Sequence, residues 1–140
     1  MTGRTIYINV WTLVLSLFTL AAEGQTMVYL ERSESLSFDQ ERIPDAQILR
    51  GNVVFRHDNA LMYCDSAYFY ESTNSMDAFG NVRMEQGDTL FVFSDMMHYN
   101  GIEEEAQLRY NVILQNRDVT LSTDSLNYEL GPNVGYYFTG

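Results

Sequence analysis

The sequence predicts an all-β fold in which one antiparallel sheet, built from repeats, is creased into a V. Two phrases recur along the chain, one around Gly-Asn-Val and one around an aspartate, and short polar connectors separate the strands that carry them. A fixed period of about 30 residues indicates stacked supersecondary units, none of which buries its apolar face alone.

The two phrases interleave regularly. The first phrase starts at three positions, which are Gly51, Gly80 and Tyr110. The second is centred on three aspartates, which are Asp65, Asp95 and Asp124. Residues 33–38 form a weaker earlier copy of the second phrase, with Glu34 in place of the aspartate.

Runs of alternating apolar and polar residues, rich in β-branched and aromatic side chains, predict the strands. They span residues 28–38, 47–56, 61–70, 76–85, 90–99, 106–115, 119–129 and 134–139. Short connectors, among them the hairpin signal Asn100-Gly101, join most of them. They favour antiparallel neighbours over a parallel β-helix, because a parallel return needs a crossover of about a dozen residues or more. The longest predicted connector is 39–46, which contains Pro44.

Alternation along the strands places an apolar row on one face of the sheet, with polar residues such as Asn81 and Glu85 on the other. If the sheet is creased, this row lines a trough between its two halves that could hold acyl chains; ordinary sealed core is the alternative. The predicted lining residues are Val53, Phe55, Ala67, Phe69, Val82, Met84, Phe93, Met97, Tyr99, Val112, Leu114, Leu126 and Tyr128.

The crease itself is predicted where the two phrases face each other across each hairpin. A glycine inside a strand marks a bend or a close backbone approach, and an aspartate readily bonds nearby backbone groups. The predicted crease residues are Gly51, Asp65, Gly80, Asp95 and Asp124.

Little in the sequence suggests catalysis. No phosphate loop, nucleophile–base pair or metal-ligand spacing is present, so we expect no enzyme, cofactor or metal. His57 and His98 are expected at the surface, and Cys64 as a buried small apolar residue. A calcium-stabilised β-roll remains an alternative for the periodic aspartates, although each repeat supplies only one carboxylate and calcium takes several oxygen ligands.

The first 24 residues have the features of a secretory signal peptide: Arg4, an apolar run, and small residues before Gln25. An uncleaved anchor is the alternative, but the apolar run is shorter than the ~20 residues that a membrane span requires. Cleavage would leave one domain, 25–140. The net charge of −11 for the whole sequence disfavours nucleic acid as a partner.

The repeat resembles that of the OstA/LptA family of lipopolysaccharide-transport proteins, most fully across residues 78–99 and, more broadly, across residues 30–140. The resemblance implies a V-shaped β-jelly roll (a β-taco) in the periplasm, either free or associated with the inner or outer membrane. It further implies that the apolar row binds the acyl chains of lipid A, and that the domain pairs end to end with itself or with other jelly rolls to bridge the two membranes.

Residues 136–140 resemble the opening of another copy, so the sequence is expected to stop within a further repeat. The alternative to the transport role is a structural or adhesive repeat module that has a closed core and no lipid ligand.

Overall fold

A computed structural model describes residues 26–138, so the predicted signal peptide at 1–24 lies outside the described residues. The described part consists almost entirely of β-strands, together with one 3-10 turn at Glu71–Thr73. The strands are β1 (Tyr29–Arg32), β2 (Ser35–Asp39), β3 (Ile43–His57), β4 (Ala60–Tyr70), β5 (Ser75–Gln86), β6 (Leu90–Asn100), β7 (Glu105–Asn116), β8 (Val119–Glu129) and β9 (Val134–Phe138). No helix within residues 26–138 is long and apolar enough to cross a membrane.

These strands form one antiparallel sheet in which each strand from β3 to β9 pairs with its neighbours in sequence. β1 and β2 both pair with β3, one with each half of it, so they act as one interrupted edge strand. The predicted all-β antiparallel fold is therefore confirmed. β3 starts at Ile43, earlier than predicted, and therefore includes Pro44. Pairing with β4 begins only at Gln47, so Pro44 lies in the part of β3 that does not pair with β4.

Every strand pair from β3 to β8 changes register at the same level of the sheet. Gly51 and Asn52 of β3 both fall opposite Asp65 of β4, between the pairs Arg50–Ser66 and Val53–Cys64. Both residues of β3 have positive φ, +84° and +46°. Such a bulge bends a strand and increases its twist.

The bulges recur in the other pairs of strands, and they lie at the predicted crease residues. The sheet therefore has two leaves. Leaf A contains β1 and the turns at 58–59, 87–89 and 117–118, and leaf B contains β2, β9 and the turns at 71–74, 101–104 and 130–133.

Two phenylalanines show that the leaves fold onto each other. Phe55 of leaf A pairs with Met62 of β4, and Phe69 of leaf B follows Met62 by seven residues. In a flat sheet that separation is roughly 23 Å, at about 3.3 Å per residue. The two rings instead lie 5.4 Å apart, so the sheet is closed into a V with its core between the leaves.

Candidate functional site: the interior between the leaves

The interior is lined by one contiguous cluster of apolar side chains that spans both leaves. Most of the predicted lining residues belong to it and are almost completely buried. They are Val53, Phe55, Ala67, Phe69, Val82, Met84, Met97, Tyr99, Val112, Leu126 and Tyr128. Leu114 is half-buried and packs against the cluster.

The prediction for Phe93 is wrong. Phe93 lies directly between Arg83 and Ile113 in neighbouring strands, on the outer face of leaf A. Its sequence neighbours Val92 and Ser94 are the buried residues. The prediction carried a single alternation through the whole of β6, whereas the crease interrupts it.

The alternation reverses in the strands that carry an aspartate. In β4, Met62 and Cys64 face inward before the crease and Ala67 faces inward after it. The two residues between them, Asp65 and Ser66, are not buried. Asp65 therefore points outward. This explains why an aspartate can occupy an odd-numbered position in β4, like the inward residues Ala67 and Phe69.

Sequence reasoning missed several other inward residues, of which those in β4 and β6 were missed for the same reason. They are Leu49, Met62, Met76, Leu90, Val92, Ala106 and Leu108. Reading the alternation separately on each side of the crease finds those in β4 and β6. Four methionines, Met62, Met76, Met84 and Met97, lie in this interior, and their thioether side chains adapt readily to irregular apolar surfaces.

His57 is not the surface residue that the sequence suggested, because it is only 2% exposed and faces inward at the end of β3. Its Nε2 atom lies 3.1 Å from the carbonyl oxygen of Thr26, which can only accept a hydrogen bond, so Nε2 carries the proton. Nδ1 then accepts a hydrogen bond from the hydroxyl of Tyr99 on leaf B. Burial, followed by the carboxylates of Glu104 and Asp58, raises the pKa of Tyr99, so its phenol stays protonated and can donate this bond.

The two rims of the V meet near these residues. His57, Asp58 and Glu104 each place one possible ligand atom within 4.8 Å of the others, with Asp58 on the leaf A rim and Glu104 on the leaf B rim. Both ring nitrogens of His57 already have hydrogen-bond partners.

Toward β8 and β9 the rims separate. A cavity of about 480 Å³ lies between them, lined from leaf A by Gln86, Leu90 and Asn116, and from leaf B by Leu130 and Asn133. The Gln86 side chain reaches across the gap and donates a 3.2 Å hydrogen bond to the Leu130 carbonyl. The open side of the V is therefore closed at its N-terminal end and wider at its C-terminal end.

The crease residues form a polar ladder on the outside of the bend. Asn81 Nδ2 donates to Asp65 at 2.8 Å, and Asn111 Nδ2 donates to Asp95 at 2.7 Å. Glu34 takes the place of the aspartate in the first rung, where it accepts from the side chain of Asn52 at 2.9 Å. Asp124 also lies on this line, at the bulge between β7 and β8.

Glycine occupies two positions in this ladder, and at both of them a carboxylate approaches the backbone closely. Gly80 has a φ of +79°, and a Cβ atom there would lie 2.7 Å from Asp65 Oδ2. Gly51 stands in the same relation to Glu34. Tyr110 adopts the corresponding positive φ, +67°, with its side chain exposed.

Cys64 and His98 are the two remaining residues considered in the sequence analysis. Cys64 is buried, and desolvation raises the pKa of its thiol to about 12, so it remains protonated and unreactive. His98 lies on the outer face of leaf B, as expected, and pairs with Asp77 at 2.6 Å.

Comparison with known proteins agrees with this geometry. Residues 25–140 match the profile of a family described as OstA-like protein. The fold is similar to that of LptH, the LptA-homologous periplasmic component of the lipopolysaccharide transport device of Pseudomonas aeruginosa, with a TM-score of 0.70 and 12% identity. That alignment covers 83% of this chain and 84% of LptH. None of the curated proteins matches the sequence.

Proposed function

We propose that this chain, which belongs to the family of OstA-like proteins, is a periplasmic lipopolysaccharide-transport domain that holds acyl chains of lipid A between its two leaves. The observation that carries the proposal is the continuous, methionine-rich apolar cluster between the two leaves. Away from the crease, the described parts of the leaves contact each other through side-chain packing and a few polar contacts. The likeness to LptH supports it at the level of the fold.

Lipid binding requires the leaves to part, because the lining residues cover one another in this structure. Exposing one large apolar side chain costs about 1.5–3 kcal/mol. Burying an acyl chain contributes about 0.8 kcal/mol of favourable transfer free energy per CH₂ group, so about a dozen carbons offset the cost of exposing several side chains. The strand pairing within each leaf does not have to change.

The domain acts passively. Lipid enters and leaves the interior without any covalent bond being made or broken, and no residue has a catalytic role. The acidic chain, with a net charge of −11, holds the lipid by its acyl chains rather than by its phosphates.

The two edges of the sheet suit end-to-end association with a second jelly roll, of this chain or of another transport protein. The edge strands of the described part carry large exposed apolar side chains, which are Tyr29, Leu36 and Phe38 at one edge and Val134, Tyr136, Tyr137 and Phe138 at the other. An unpaired strand edge is a template for another strand, and such pairing would join apolar interiors into a continuous path between the membranes.

Photocrosslinking tests the proposal with a matched pair of aromatic positions. A benzophenone amino acid replaces Phe55, which faces inward, or Phe93, which faces outward. Irradiation with lipopolysaccharide should label lipid A from position 55 and give at most background labelling from position 93. Equal labelling from the two positions, or none from position 55, argues against the proposal.

The near-complete burial of the interior favours a second candidate, a structural repeat module with a sealed core. Such a module predicts no lipid labelling from position 55 and an unfolding free energy that does not depend on lipid. A ligand that binds the folded state alone raises that free energy.

A further inference from the structure

Residues 26–28 lie outside the sheet and cross the N-terminal end of the open side of the V. They precede β1, which pairs with β3 on leaf A, so the chain itself holds them to leaf A. Thr26 adds a contact to the same leaf, since its Oγ1 lies 2.9 Å from His57 Nε2. We name residues 26–28 the strap.

The strap is also bonded to leaf B through one side chain. The backbone N–H of Val28 donates to Asn74 Oδ1 at 2.7 Å, and Asn74 Nδ2 donates to the carbonyl of Thr26 at 3.3 Å. Asn74 sits on the rim of leaf B with a φ of +52°. One amide side chain thus satisfies both an N–H and a C=O of the strap, as a neighbouring strand would.

Val28 is the part of the strap that enters the interior. It is 3% exposed and belongs to the apolar cluster. Its Cγ2 fits against Gly101 on the rim of leaf B, where a Cβ atom would come within 2.8 Å of it and within 2.3 Å of the Asn74 carbonyl oxygen. The rim is therefore shaped to receive this side chain.

The strap bridges the leaves at the end where their rims meet. His57 and Tyr99 join the leaves there by a buried hydrogen bond, and the strap lies against His57. Farther along, the rims stand apart around the cavity of about 480 Å³. Opening the N-terminal end must break the bonds to Asn74 and withdraw Val28 from the cluster, because the strap stays with leaf A.

We propose that the strap is an intramolecular latch: its attachment to Asn74 keeps the N-terminal end of the interior shut, and its release admits an apolar chain. This inference rests on the proposed function, since it supplies the gate for the same interior. In the closed state the strap occupies the surface formed by Asn74 and Gly101 on leaf B, and the entering lipid displaces it from there.

The test is Asn74→Gly in the full chain, compared with Asn81→Gly. Glycine retains the positive φ at both positions and removes a side-chain amide that makes hydrogen bonds. Asn74 bonds the strap, whereas Asn81 bonds Asp65 at the crease, away from the rims. A second pair of variants removes two methyl groups from a buried valine. Val28→Ala changes the strap, and Val54→Ala, on the outer face of β3, is its control.

Two readouts apply to each variant. The first is the hydrogen exchange rate of the Val28 amide, which Asn74→Gly should raise on the order of five- to tenfold, as expected for the loss of one hydrogen bond. The second is the rate at which the fluorescent apolar probe 1-N-phenylnaphthylamine enters the protein. We expect both strap variants to take up the probe several-fold faster than wild type, and both controls to match wild type.

Uptake unchanged in Asn74→Gly and Val28→Ala, despite faster exchange at Val28, overturns the latch and leaves the transport proposal intact if position 55 still labels lipid A. Labelling that appears only in the strap variants supports the latch. Absence of both probe uptake and labelling in every variant overturns the latch and the transport proposal together.

Discussion

The imidazole Nδ1 of His57 and the hydroxyl oxygen of Tyr99 lie 2.5 Å apart, although the two residues are 42 positions apart and belong to different leaves. The hydrogen bond is buried. His57 is the last residue of β3, on leaf A, and Tyr99 lies near the end of β6, on leaf B. It joins the leaves by a directional contact within a largely apolar interface, which fixes the position of one leaf relative to the other.

Removing the Tyr99 hydroxyl should therefore destabilise the fold. Tyr99→Phe leaves a buried acceptor on His57 without its donor, so we expect a loss of about 1–3 kcal/mol in the free energy of unfolding. Urea denaturation measures it. Tyr136→Phe, at a half-exposed site on β9, is the control and should change the free energy by less than about 0.5 kcal/mol. Equal effects in the two variants would show that the bond contributes nothing.

The crease can be tested with two glycines of similar backbone conformation. Gly80→Ala places a Cβ atom 2.7 Å from Asp65 Oδ2, whereas at Gly87 nothing lies within 4 Å. Both have positive φ, +79° and +61°, and a side chain in that region costs about 1–2 kcal/mol. We expect Gly80→Ala to lose at least about 1 kcal/mol more than Gly87→Ala, because the ladder must also shift. Equal losses in thermal or urea unfolding would mean that the approach of Asp65 is not part of the crease.

The stability should depend weakly on pH through His98. Its hydrogen bond with Asp77 raises its pKa, while partial burial acts in the opposite direction and the charges of Asp77 and Glu105 add to the rise. A raised folded-state pKa contributes stability that is fully present below the unfolded value of about 6.5 and is lost as the pH rises through the folded value.

The pair is partly exposed, so solvent screening should limit this contribution to under about 1 kcal/mol between pH 6 and pH 8. Unfolding of wild type and of His98→Gln at both pH values checks it. The substitution should remove most of the decline in stability from pH 6 to pH 8. An identical decline in the variant would assign the pH dependence to other groups.

End-to-end association should depend on the apolar edge of β2. Lysine on an edge strand opposes strand addition, so Leu36→Lys combined with Phe38→Lys should lower self-association at high protein concentration. Sedimentation velocity over a concentration series measures this. Ile113→Lys changes an exposed apolar residue on the outer face, away from the edges, and should associate as wild type does. Loss of association in that control instead would place the contact on the outer face.

Much of this architecture follows from local sequence patterns. The register breaks require residues that accept positive φ and a carboxylate close to the backbone. Gly-Asn and Asp meet these requirements, so their recurrence in the sequence predicts where the breaks lie. Strand bounds agree to within a few residues, because short polar turns separate alternating runs. The exceptions are the earlier start of β3 at Ile43 and the predicted strand 28–38, which is divided into β1 and β2. These are local properties, and a single repeat contains them.

The features that were missed depend on contacts between distant parts of the chain. Alternation predicts that Phe93 faces the interior, but alternation is a property of a straight strand and the bend at Asp95 reverses it. His57 is polar and lies next to a turn, so nothing local distinguishes it from a surface histidine. Its burial arises from Tyr99 on the other leaf and from Thr26 in the strap, which are 42 and 31 residues away.

The most direct test of the central claim uses the methionine methyl groups as reporters of where an acyl chain lies. Met62, Met76, Met84 and Met97 face the interior, whereas Met27 and Met96 are exposed outside it. In methyl NMR spectra with lipid A that carries a spin label near the end of an acyl chain, we predict strong broadening of the interior methyl resonances and little at Met96. Broadening confined to Met27 and Met96, with the interior resonances unchanged, would contradict the account.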